Sequence, residues 1–204
     1  MSAYQDIYLD LPSRVSEVWK RTKTHPDNES KDLSATAMLM AAAAGLAMPW
    51  ESLKDVGIGN GSDWNAHPSF ANGNQKHYQA VLKSCSAFLA QKISDTESLK
   101  TISFQHCQNQ IEIRDVAEYG QSGKTQKHTV RCAVRVIRNA LAHNNIVAFG
   151  PNPEQIEKIG FFSENRIGSG CVSTIHGYLV LTITTESFAA FLDAWFLSLL
   201  PTKS

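Results

Sequence analysis

Apolar residues recur at helical spacing along much of the chain. Leu11, Val15, Val18 and Trp19 mark a helix over 11–22, which His25-Pro26-Asp27-Asn28 breaks. Residues 34–50, rich in Ala, Leu and Met, predict a buried helix. Tyr78, Val81, Leu82, Cys85, Phe88 and Leu89 fall on one side of a helix over 75–93. The most regular pattern spans 125–144, where Val130, Val134, Ile137 and Leu141 recur at steps of four, three and four and form a core stripe. Asn144-Asn145 suits the left-handed conformation that ends helices. Phe188, Phe191, Leu192, Trp195, Phe196 and Leu199 give one face of a last amphipathic helix over 185–200.

Alternation with a period of two is confined to the later half. Residues 157–162 and 177–184 read as two strands, the second with β-branched Thr182 and Thr184 among its alternating positions. Gly168-Ser169-Gly170 supplies the turn between them. Residues 94–110 fit a helix or a strand. Residues 56–73 are loop-like, 120–125 are a polar break, and Gly150-Pro151-Asn152-Pro153 stops regular structure. The expected fold is mainly α. It is a helical bundle in a single domain over 1–204, with a small β-hairpin appendage at about 154–184, after the clearest helix.

Composition narrows the function. The formal charge is zero and the pI is near 7. A nucleic-acid-binding field over the whole surface is therefore not expected, and an anion must meet a local cluster of cations. No apolar run reaches the roughly 18 residues of a membrane span, so no membrane partner is expected. The first residues lack the basic-then-apolar pattern of a signal peptide. Cys85, Cys107, Cys132 and Cys171 lie far apart without a CxxC pair, which predicts neither zinc nor a disulfide framework. A reduced, cytoplasmic setting follows, and no cofactor is expected.

The helix over 125–144 carries a second stripe. Lys127, Arg131, Arg135 and Arg138 stand four, four and three apart, a concentration of cations in an otherwise balanced chain. For a charge run alone, a solvated face is the usual role. Five residues after Arg138 comes His143, and Asn139 lies between them one helical turn before the histidine. Arg138 and His143 are about 140° apart around an ideal helix, so the arginine must reach round. The pair on its own is close to what chance supplies. Its weight comes from its place: the most regular helix, after a basic stripe, beside a helix end.

The segment Ile137-Arg138-Asn139-Ala140-Leu141-Ala142-His143-Asn144 resembles the motif of the HEPN superfamily, whose ribonuclease members carry Arg, a polar residue and a spaced His on a late helix of an all-α bundle. The strand pair and the Phe-rich last helix are similar in outline to a prokaryotic, plasmid-associated HEPN group. The resemblance implies a metal-independent endoribonuclease that cleaves RNA by attack of the 2′-hydroxyl and leaves a 2′,3′-cyclic phosphate. His143 would transfer a proton and Arg138 would hold the phosphate through its forked donors, with Asn139 orienting either. Arg135, Arg131, Lys127 and Asn144 are the expected RNA-binding residues. A homodimer is implied, because one motif offers one histidine and two motifs across a twofold axis offer two. A toxin or antiphage role, with an antitoxin protein among the partners, belongs to the same reading. The alternative is a non-catalytic HEPN module that binds RNA or a partner protein through the same helix. A third reading is a purely structural helical interaction domain. HEPN toxins silenced by nucleotidylation carry Tyr two residues after the His; Asn145 stands there, which argues against that control.

Other signals weigh less. Gly120-Gln121-Ser122-Gly123-Lys124-Thr125 has Glu118 where a phosphate-binding loop requires Gly, and capping of a helix is its plainer role. His106-Cys107 has no partner nearby in sequence for a thiol nucleophile. Glu112, Asp115 and Glu118 read as a solvated helix side rather than a metal site. Trp64, His67 and Phe70 read as loop anchors.

Overall fold

The computed structural model describes residues 7–24, 34–47, 49–50, 75–96, 99, 101–119, 128–152, 155–167 and 174–200. Lys127, Cys171, the 56–73 loop with Trp64, His67 and Phe70, the 120–125 break and the Gly168-Ser169-Gly170 turn lie outside them.

Helices form at the five stretches of apolar helical spacing, and a further short one forms at Ile113–Tyr119, which that spacing does not mark. They are α1 (Ile7–Thr24), α2 (Ser34–Ala42), α3 (Gln75–Ala90), the short α4 (Ile113–Tyr119), α5 (Val130–His143) and α6 (Thr185–Ser198). The chain is mainly helical, with a small antiparallel sheet of β1 (Ser103–Cys107), β2 (Ile146–Phe149), β3 (Lys158–Ile167) and β4 (Thr174–Thr184), in the order β1-β4-β3-β2.

The expected hairpin is therefore the middle of a larger sheet, and it is not an appendage. The ambiguous 94–110 stretch supplies β1, whose Phe104 lies opposite Leu181 of β4. Residues Ile146–Phe149, given no element from the sequence and lying just before the Gly150-Pro151-Asn152-Pro153 stop, supply β2, whose Ile146 lies opposite Phe161 of β3. Both flanking strands are short, four and five residues, too brief for alternation to stand out. The strand period explains why the sheet is integral. Ile159, Phe161, Leu181, Ile183 and Phe104 point to the main core, with Phe188, Phe191 and Trp195 of α6 and Ile137 of α5. Phe162, Val180 and Cys107 point to the other face, where Ile113 and Ala117 of α4 cover them.

The predicted 34–50 helix changes character after Ala42, where Ala43–Ala47 form a π-helical turn. The buried indole Nε1 of Trp195 donates to the Gly45 carbonyl oxygen at 2.7 Å. A Cβ at Gly45 would overlap the Phe196 ring and come within 2.9 Å of Val15 Cγ1. The bulge thus frees a carbonyl for the tryptophan and lets two helices approach.

Candidate functional site

Helix α5 is fixed at both ends, and this places the motif. At its start, Val130 N donates to Gln91 O at 2.9 Å, and Ile93 N donates to His128 O at 3.0 Å. Its inner face, Val130, Ala133, Val134, Val136, Ile137 and Ala140, is buried. That is one residue row wider than the stripe read from the sequence. At its end, Asn144 adopts the left-handed conformation at φ 56°, and Asn145 N returns to Ala140 O at 2.8 Å. Asn144 N donates to the same oxygen, so the two bonds satisfy one of the carbonyls that a helix end leaves open.

The chain then turns straight into the sheet. Phe162 N donates to Asn145 O at 3.1 Å, and Ile146 opens the pairing of β2 with β3 opposite Phe161. Strand β3 continues past this point and reaches Ile167. Ser163 and Glu164 consequently lie beyond the start of β2 and next to the last turn of α5. The result is a cleft of about 410 Å³, lined by Asn139, His143, Asn145, Ser163 and Glu164. Every one of these side chains is polar. His143 and Glu164 are exposed, Asn139 and Asn145 are half-buried, and Ser163 is buried.

The sequence-predicted residues divide between this cleft and the rest of α5. Asn139 and His143 share the cleft wall, as residues one turn apart should. Arg138 is half-buried and reaches sideways, with Nη1 donating to Asn139 Oδ1 at 2.7 Å. Its guanidinium is thereby held beside the cleft although it is not part of the lining. Arg135 is exposed one turn earlier, and Arg131 is exposed in the first turn of α5. The 1.5 Å rise per residue puts Arg131 about 18 Å along the axis from His143. The Arg131 charge is felt instead at Cys85, on α3. Asn144 caps the helix through its backbone. Asn145, Ser163 and Glu164 did not emerge from the sequence as site residues. Asn145 stood out as a helix-end residue and as the residue in place of a Tyr after the motif; Ser163 and Glu164 lie some twenty residues after His143, where the β2–β3 register brings them near.

Chemistry elsewhere is muted. Burial pushes the Cys85 thiol up to about 12, against weaker opposing effects of Ser198 and Arg131. Burial, and then the Glu112 carboxylate, push the Cys107 thiol up from its ordinary value. Neither is a ready thiolate nucleophile. Among the described residues, no three of His, Cys, Asp and Glu gather as a metal-holding group, and no helix is long and apolar enough to cross a membrane.

The family model described as HEPN pEK499 p136 matches residues 1–204, the whole chain. No curated protein and no solved structure gives a match.

Proposed function

The chain belongs to the HEPN pEK499 p136 family, and from that premise we propose that it is a metal-independent endoribonuclease working at Arg138, Asn139 and His143. HEPN domains are in general ribonuclease-like or nucleotide-related. The observation that carries the finer reading is the polar cleft at the end of α5, into which Asn139 and His143 both open while Arg138 is bonded to Asn139.

The chemistry follows from RNA itself, which carries its nucleophile as the ribose 2′-hydroxyl. One group must take that proton, another must protonate the leaving 5′-oxygen, and a cation must meet the charge that builds on the phosphate. His143 is suited to a proton transfer near neutral pH. Arg138 offers planar, permanently charged donors to the phosphoryl oxygens. Asn139, whose carbonyl oxygen accepts from Arg138, turns its amide N–H groups toward the phosphate or the imidazole. Arg135, Arg131, Lys127 and Asn144 extend contact to neighbouring phosphates. The reading includes a homodimer, in which a twofold axis brings two α5 ends together. It also includes action as a toxin or antiphage effector held in check by an antitoxin protein.

Incubation of single-stranded RNA with the protein in EDTA tests this. The wild type is expected to cleave, and His143→Ala to lose at least about 10²-fold in rate. Equal rates for the two would remove His143 from the reaction.

A further inference from the structure

We infer that the cleft at the end of α5 seats an unpaired base of the RNA beside the cut, and that the Ser163 hydroxyl and the Asn145 amide read its edge. The inference rests on the endoribonuclease reading of His143. Strand register puts Ser163 in place. It lies opposite Leu179 of β4, two positions after Phe161, which lies opposite Leu181. Phe161, Leu179 and Leu181 all belong to the main core, together with Ile137 of α5. Side chains two apart on a strand share a face, so Ser163 is on the face that α5 covers. The register shift comes only after Glu164, and the alternation through Ser163 is undisturbed. The row Ile159, Phe161, Ser163 thus turns polar where α5 runs out. The last buried residue of that helix is Ala140, and His143 one turn on lines the cleft with Ser163.

Ser163 is only 7% exposed, and among the described residues nothing hydrogen bonds to its hydroxyl. A buried hydroxyl without a partner costs the fold stability, and a ligand that bonds to it removes that cost. The half-buried Asn145 is bonded through its backbone alone: its N donates to Ala140 O and its O accepts from Phe162 N. Its amide group is left to the cleft. The lining favours a base over a phosphate. It holds no lysine or arginine, and Arg138 stands beside it. Amides and hydroxyls offer donors and acceptors side by side, as the Watson–Crick edge of an unpaired base does. The 410 Å³ of the cleft falls in the range of about 300–1,000 Å³ typical of small-ligand pockets. The base enters the cleft, and its phosphate stays at the rim with Arg138 and the exposed His143. Proton transfer remains with the two copies of His143 across the twofold axis, and each protomer adds a base pocket to that shared site.

The test is cleavage of a random-sequence single-stranded RNA by wild type, Ser163→Ala and Asn145→Ala, with the bases flanking each cut read by sequencing. The wild type should favour particular bases at one position beside the cut. Each variant should weaken that preference by about 3–10-fold, the worth of one hydrogen bond, and cut the disfavoured bases at the wild-type rate. Urea melts separate substrate contact from a structural role, because loss of an unpartnered hydroxyl should leave Ser163→Ala at least as stable as the wild type. An equal fall on all four bases would make Ser163 a phosphate contact and overturn the inference. An unchanged preference in either variant, a less stable Ser163→Ala, or a wild type that cuts without regard to base would also overturn it. Each of these leaves the His143 reading standing, whereas a wild type that cleaves no RNA would overturn both.

Discussion

Arg138 Nη1 donates to Oδ1 of Asn139, its neighbour in sequence, at 2.7 Å. Successive residues on a helix point about 100° apart, so the contact forms because a long side chain folds back along the helix surface. It couples the permanent cation of the motif to the amide that lines the cleft, although Arg138 and His143 face different ways.

That coupling sets an expectation for Asn139→Ala. The variant keeps Arg138 and His143 but removes this one hydrogen bond from the guanidinium. A hydrogen bond to a charged group is worth about 1.5–3 kcal/mol. Losing it in the transition state lowers kcat/KM by roughly 10–10²-fold. Unfolding stability should fall by less than the bond's full worth, since water partly replaces a part-buried bond. Steady-state cleavage kinetics beside a urea melt check both halves.

Asn144 separates backbone from side-chain roles. Among the described residues it is the one non-glycine with positive φ, at 56°. Glycine accepts that conformation freely, whereas a β-branched residue does not. Asn144→Gly is expected to keep wild-type stability, and Asn144→Val to lose about 1–2 kcal/mol in urea unfolding. Weaker RNA binding by the well-folded Asn144→Gly would show that the amide also contacts RNA.

His128 makes stability depend on pH. Its ring stacks on Phe104 at 4.3 Å between centroids. Burial, and then the nearby His106, hold its pKa below the ordinary 6.5. The unfolded chain therefore takes up this proton first as pH falls. The contribution of His128 to stability is intact above pH 6.5 and is lost as pH falls through that value toward the depressed folded pKa. The drop in Tm between neutral and mildly acidic buffer should be smaller for His128→Phe than for wild type. Identical drops would show that the ring titrates alike in both states.

The helical frame was legible because its apolar faces are long. Trp195, Phe188 and Phe191 fall on one stripe of α6, and all are fully buried. The sheet was half legible. β3 and β4 show alternation, but β1 and β2 owe their structure to partners 9 to 79 residues away in sequence. The π-helical turn was hidden for the same reason, since the Trp195 indole that occupies the Gly45 carbonyl lies 150 residues on. At the site, Asn139 and His143 could be placed together from their spacing alone. Ser163 could not, because its position depends on which residue of β3 meets Asn145. The basic stripe was legible as a stripe, but a 14-residue helix spreads it far beyond the dimensions of one cleft.

Cleavage by the RNA's own 2′-hydroxyl, with His143 as a proton-transferring group, would leave its signature on the ends of the fragments. End-group analysis of fragments made in EDTA tests it most directly, with an all-RNA oligonucleotide and its 2′-O-methyl counterpart as substrates. The wild type is expected to leave 2′,3′-cyclic phosphate and 5′-hydroxyl ends, His143→Ala to leave none, and the methylated strand to stay uncut. Fragments with 5′-phosphate ends, or cutting of the methylated strand, would contradict it.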